Sequence, residues 1–161
     1  MLAGMTTPDF AAPIEDRWFE DYKPGAVYEY GYATLTADEL VDFAIRFDPQ
    51  PMHVDPLFAK TGPFGGLIAS GWHTAGLMMR LLADNYLSRV AGLPSPGVDE
   101  LRWPHPVRPG DVLRLGVEIL EARESRSKPD RGVVRTKAEL LNQDDAVVLS
   151  MIAVNMVAKR P

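Results

Sequence analysis

The sequence predicts an α+β domain in which one long central helix is wrapped by a curved antiparallel sheet. Three observations carry that expectation. The longest helical pattern runs from about Ser70 to Val90, and between Gly71 and Ala83 its only polar side chains are His73, Thr74 and Arg80. A helix apolar on nearly all sides is one that other elements surround. Four strand-like runs follow it (98–103, 112–122, 133–142 and 146–158) and one precedes it, which is the material for that sheet. The order strand, helices, then a run of strands argues against βαβ units and for helices on one face of an antiparallel sheet.

Taken in order, residues 1–24 read as an N-terminal arm, partly tied down by Trp18, Phe19 and Tyr22, and residues 25–161 as a single domain. The alternation of Tyr28, Tyr30 and Tyr32 predicts the first strand. Thr36 followed by Glu39 matches a capping box and opens a short helix with Leu40, Phe43, Ala44 and Phe47 on one face. Asp48-Pro49-Gln50-Pro51 must end it, because a residue before proline is pushed out of the α region; two such steps predict a stiff, extended segment through Met52-His53. Asp55 as N-cap and Pro56 at the first position predict another short helix, ending at Gly62-Pro63. A Gly-containing loop from Phe64 to Ala69 delivers the chain to the long helix, on which Arg80 and Asp84 form an i,i+4 pair. Residues 92–97 read as a turn, and breaks between the late strands fall at Arg108–Asp111, Ser127–Gly132 and Asn142–Asp145.

Composition narrows the function classes. Twenty-two acidic against 17 basic residues leave a net charge of −5, without the positive excess that drives phosphate-backbone binding, so no nucleic acid is expected as partner. The 161 residues contain no cysteine, which excludes thiolate zinc sites and a cysteine nucleophile. The first 21 residues do not read as a signal peptide, and no apolar run approaches the ~20 residues that span a bilayer. A cytoplasmic location, away from membranes, is the expectation.

Of the three histidines, His53 alone lies in a segment of polar groups and rigid turns, Asp48-Pro49-Gln50-Pro51-Met52-His53-Val54-Asp55. A carboxylate and an imidazole held in one loop can position and deprotonate a water molecule, and the prolines remove conformations that would scatter them. Fully extended, five residues separate the two groups by roughly 16 Å, so the chain must bend for them to share a water. The residues alone equally allow Asp48 to end a helix and His53 to be a loop histidine. In Phe64-Gly65-Gly66-Leu67-Ile68-Ala69-Ser70-Gly71, the chain enters the long helix, where first-turn N–H groups lack internal partners and can hold a developing oxyanion. A Gly-rich connector with Ser70 as an ordinary N-cap fits the same residues. Gly-x-Gly-x-x-Gly and Walker patterns are absent, Ser70 has no nucleophile-elbow context, and His53 with Asp55 lacks a third metal ligand nearby. No metal or cofactor is expected. Met78, Met79, Leu81 and Leu82 read as core, or as the lining of an apolar tunnel.

These two motifs together resemble the hydratase signature of the MaoC-like dehydratases, which include the (R)-specific enoyl-CoA hydratases. The family pattern is Asp-x-Asn-Pro-x-His-x-Asp, then Phe-x-x-x-Ile-Ala-His-Gly. The steps from Asp48 to His53 and from His53 to Gly71 are both kept, and Pro106-Val107-Arg108-Pro109-Gly110-Asp111 is similar to the family's turn before a strand. The resemblance spans roughly residues 25–158. It implies a hot-dog fold, a homodimer or higher assembly, and an acyl-CoA thioester bound near a subunit interface. It makes Asp48 and His53 the catalytic pair and Gly71 the oxyanion donor, with Ser70 and Gln50 beside the substrate. Gln50 stands in place of the family Asn and Ser70 in place of the His before the glycine. Met79 occupies the position where some members carry a serine.

The activity so implied is reversible hydration of a trans-2-enoyl-CoA to a (R)-3-hydroxyacyl-CoA, with Asp48 removing a proton from water and His53 returning one at the α-carbon. A hot-dog acyl-CoA thioesterase, a non-catalytic acyl-CoA-binding domain and a purely structural subunit are the rival expectations. Release of free CoA thiol would identify the first.

Overall fold

A computed structural model describes residues 10–161. The expectation for the first part of the arm lies outside the described residues. From Phe10 onward the arm is anchored: Tyr22 is buried, and Trp18 and Phe19 pack against the core. Strand β1 (Val27–Thr34) is followed by helices α1 (Ala37–Phe47), α2 (Pro51–Val54), α3 (Pro56–Thr61) and α4 (Gly71–Asn85). Strands β2 (Gly92–Arg102), β3 (Val112–Glu124), β4 (Arg131–Leu141) and β5 (Val147–Ala158) complete the chain. The strands form one sheet in the order β1-β3-β4-β5-β2, antiparallel throughout. This is the α+β arrangement that the sequence predicts.

Alternation explains which way the sheet faces. Leu113, Leu115, Val117 and Ile119 of β3, and Val134, Thr136, Ala138 and Leu140 of β4, are buried. Against this face lie Thr74, Met78, Leu81 and Leu82 of α4, with Tyr86 just beyond it. Local signals hold where local chemistry decides. Thr36 Oγ1 accepts the Glu39 N–H (3.2 Å) and Glu39 Oε2 accepts the Thr36 N–H (2.9 Å), closing the predicted capping box. Asp55 Oδ1 accepts the N–H groups of Leu57 (2.9 Å) and Phe58 (3.1 Å), the predicted N-cap of α3.

Four expectations need correction. The long helix ends at Asn85, not Val90, because Arg17 from the arm donates to the carbonyls of Asn85 (3.0 Å) and Tyr86 (2.6 Å). A cation there satisfies orphan carbonyls and opposes the negative end of the helix dipole. The Gly- and Pro-rich residues 92–97 are not a turn but the start of β2, paired to β5 with irregular register between Leu93 and Gly97. Proline is tolerated there because β2 is an edge strand whose outer N–H groups need no partner. The segment through His53 is not extended: Pro51, at the first position, starts a helical turn, and Asp55 N–H bonds the Pro51 carbonyl at 2.9 Å. Finally, α4 is not enclosed on all sides. Trp72 and Met79 stand 62% and 50% exposed on its outer face, so Met79 is not core. On α1, Phe47 is likewise exposed, although Leu40 and Ala44 are buried as expected.

Candidate active site

The site is built where three segments meet: the end of α1, the turn α2, and the entry to α4. Pro49 stops α1, and Asp48 occupies its C-cap with N–H bonded to the Ala44 carbonyl at 2.8 Å. The chain then doubles back, with Gln50 N–H on the Asp48 carbonyl (2.8 Å) and His53 N–H on the Gln50 carbonyl (2.8 Å). That bend brings His53 Nε2 to 3.5 Å from Asp48 Oδ2. The third segment is fixed from behind: Ala69 N–H donates to the Val107 carbonyl (2.8 Å), and Arg108 N–H to Asp111 Oδ2 (2.7 Å). The Pro106–Asp111 turn therefore sets the height at which residues 68–70 pass the pair.

Hydrogen bonds determine the state of each group. His53 is buried, and its Nδ1 lies 2.8 Å from the Ile68 carbonyl oxygen. A carbonyl only accepts, so Nδ1 carries a proton, and Nε2 is the ring nitrogen that faces Asp48. Both oxygens of Asp48 are held: Ser70 Oγ donates to Oδ2 (2.6 Å) and Gln50 Nε2 to Oδ1 (2.7 Å). The Ser70 hydroxyl, then Gln50 and the neighbouring His53, hold the Asp48 carboxyl below the usual carboxylate range, outweighing the opposite effect of partial burial.

Gly71 opens α4, and among the described residues its N–H has no acceptor. A glycine lets a substrate carbonyl approach this N–H closely, and the structure supplies a second reason for it. Trp103 Nε1 donates to the Gly71 carbonyl (2.8 Å), and a Cβ at position 71 would stand 2.8 Å from the indole. Trp72 meets Trp103 edge to face, centroids 5.4 Å apart.

These groups border a cleft of about 440 Å³, lined by Asp48, Gln50, His53 and Gly71 on the polar side and by Met52, Phe64, Trp72 and Trp103 on the apolar side. Of the five residues singled out from sequence, four line it. Ser70 does not: it is fully buried behind Asp48, so its expected place beside the substrate is corrected to a place beneath the carboxylate. Trp72, Trp103 and His105 also line the cleft and were not found from sequence. Trp103 and His105 follow β2 in segments with no local pattern, and only the fold returns them to α4. Among the described residues, no three His, Asp or Glu groups stand close enough to hold a metal ion, and no helix is long and apolar enough to cross a membrane.

The family model for the MaoC-like domain matches residues 21–141. This chain belongs to the MaoC-like dehydratase family. The domain is 34% identical to a 3-hydroxybutyryl-CoA dehydratase of Methylorubrum extorquens, over 69% of each chain. A crystal structure of a MaoC-like dehydratase from Rhodospirillum rubrum superposes with TM-score 0.84 at 39% identity, covering 90% of this chain and 99% of that one. The R-hydratase PhaJ1 of Pseudomonas aeruginosa, in its unliganded form, gives TM-score 0.72 at 26% identity over 89% and 86% of the two chains. The helix-on-sheet layout of this MaoC-like domain is accordingly the hot-dog fold.

Proposed function

We propose that this MaoC-like domain reversibly hydrates a trans-2-enoyl-CoA to the (R)-3-hydroxyacyl-CoA, with Asp48 and His53 as the catalytic pair and Gly71 N–H as oxyanion donor. One observation carries the reading. Nδ1–H is committed to Ile68 and Nε2 stands 3.5 Å from Asp48 Oδ2, so in the neutral form of the ring the two are paired acceptors. One water can donate a proton to each, leaving its oxygen lone pair aimed into the cleft. The names of the relatives, a 3-hydroxybutyryl-CoA dehydratase and R-hydratases, support the substrate class.

Imidazoles as a class are more basic than carboxylates, and two donors make Asp48 a poorer base still. The leaving proton therefore goes to His53 Nε2 while Asp48 holds the second O–H. This moves the proton abstraction, expected of Asp48 from the sequence, to His53. The water oxygen bonds to the β-carbon, and the double-bond electrons move onto the thioester oxygen, where Gly71 N–H receives the charge; such a donor is worth about 3 kcal/mol. As the enolate collapses, Nε2–H returns the proton to the α-carbon, so O and H add to the same face. The exposed edge strand β2, with Val98, Trp72 and Met79 exposed, supports a homodimer as the working unit, checked by light scattering on the eluting protein.

The test follows loss of enoyl absorbance with a series of enoyl-CoA esters, using wild type, Asp48→Asn and His53→Ala at matched folding. Each variant is expected to lose about 10²–10⁴ in rate. Equal hydration by all three overturns the pair, and free CoA thiol without hydration makes the domain a thioesterase.

A further inference from the structure

We propose that Ser70 is a positioning residue whose buried hydroxyl locks the Asp48 carboxylate beside His53 and ties it to the first turn of α4. The proposal rests on the reading of Asp48 and His53 above and concerns what keeps that pair in register with the oxyanion donor.

Ser70 Oγ has a single proton, and the 2.6 Å bond to Asp48 Oδ2 uses it. The same oxygen accepts the Trp72 N–H at 3.3 Å, while the Ser70 carbonyl accepts the Thr74 N–H at 3.1 Å. One residue thus touches the carboxylate on one side and begins the helix carrying Gly71 N–H on the other. The locked oxygen, Oδ2, is the one that faces Nε2. A hydrogen bond to an ionised acceptor is about twice as strong as a neutral one and directional, so it selects one carboxylate rotation. Gln50 holds the other oxygen, but from an exposed position. Its side chain competes with water; that of Ser70, with no exposed surface, does not.

The arrangement has a consequence for pH. His53, on α2, is the titratable group facing Asp48; His105, from the segment after β2, lines the same cleft but hydrogen-bonds through Nδ1 to the Val147 carbonyl (2.9 Å). Ser70 is the largest influence favouring the ionised carboxylate. Removing its hydroxyl leaves Oδ2 without a donor among the described residues, so Asp48 both rotates and protonates more easily.

The experiment compares wild type, Ser70→Ala, Ser70→Gly, Ser70→Thr and Asp48→Asn in enoyl-CoA hydration across pH, with thermal melting beside each. Glycine is included because it is tolerated at an N-cap while lacking the hydroxyl. Ser70→Ala and Ser70→Gly are expected to lose about tenfold or more in kcat, as for one hydrogen bond to a charged group, with KM little changed. The Asp48 carboxyl, titrated by 13C NMR, ionises at higher pH in both, and Ser70→Thr restores that titration and the rate. An Asp48 titration that stays in place in folded Ser70→Ala and Ser70→Gly overturns the proposal, whatever their rates. If the threonine variant does not fold, the titration in the other two decides alone. Asp48→Asn separates the failures and identifies the resonance: full activity there overturns the catalytic pair and this inference with it, whereas a collapsed Asp48→Asn beside an unmoved Ser70→Ala titration overturns only the inference.

Discussion

Gly71→Ala tests whether the entry to α4 is set by Trp103. A methyl built on Gly71 lies 2.8 Å from Trp103 Cε2 and Nε1 and 3.2 Å from Cδ1, and real Cβ contacts are essentially never under 3.0 Å. Ordinary contact begins near 3.4 Å, so the indole or the first helical turn must move by about 0.6 Å or more. Moving the indole strains its hydrogen bond to the Gly71 carbonyl, worth about 1 kcal/mol, and its edge-to-face contact with Trp72, worth about 0.5–1.5 kcal/mol. Against these, alanine recovers roughly 1 kcal/mol of helix preference over glycine. The expected net cost is about 0.5–1.5 kcal/mol, which for a chain of this size lowers the melting temperature by about 1–6 °C. Catalysis should fall further than stability, because a donor displaced by an ångström can cost about 10² in rate. The assay is a double-mutant cycle of Gly71→Ala with Trp103→Leu, each scored by thermal melting and enoyl hydration. Removing the indole should make the alanine harmless to folding. A Gly71→Ala variant that melts with wild type, or one equally destabilised with and without Trp103, refutes the steric account.

Two further outcomes are expected. Arg17→Met removes the donors that hold the carbonyls of Ala12, Asn85 and Tyr86 at a residue only 3% exposed. The Tyr86 carbonyl keeps the Tyr22 hydroxyl as a donor (3.3 Å), while those of Ala12 and Asn85 lose theirs. At about 1–3 kcal/mol for a buried acceptor left unpaired, urea unfolding should show a loss of about 2 kcal/mol; less than 1 kcal/mol would mean that water replaces the guanidinium. His73 stacks on Phe43 with its Nδ1 buried and unpartnered among the described residues, and burial lowers its pKa against the smaller, opposite pull of Glu39. A histidine whose folded pKa is depressed contributes stability above its unfolded pKa, about 6.5, and loses it as pH falls toward the folded value. Wild type should lose stability relative to His73→Gln below about pH 6.5, and urea midpoints that run parallel through that range would contradict it.

How far the site was readable depends on what holds each part. Asp48, His53 and Gly71 stood out because prolines and a helix entry leave marks within a few residues. The Asp48–His53 separation was not readable, since residues 48–53 could run extended or turn; Pro51 and the carbonyl of Ile68 decide it. Ser70 was noticed but misplaced, because a sequence does not say which side of a helix entry faces the cleft. Trp103 was missed altogether, as its partner Gly71 lies 32 residues away.

Amino-acid order alone determined the helix caps at Thr36 and Asp55, the strand runs that became β3 and β4, and the α+β class. Those are short-range effects of side chains on their own backbone, or periodicities that any packed face must show. Tertiary structure alone decided where α4 stops, that 92–102 is an edge strand, which imidazole nitrogen is free, and what lies behind the carboxylate. Each depends on a donor or acceptor brought from a distant segment, and a buried polar group takes whichever partner the fold delivers.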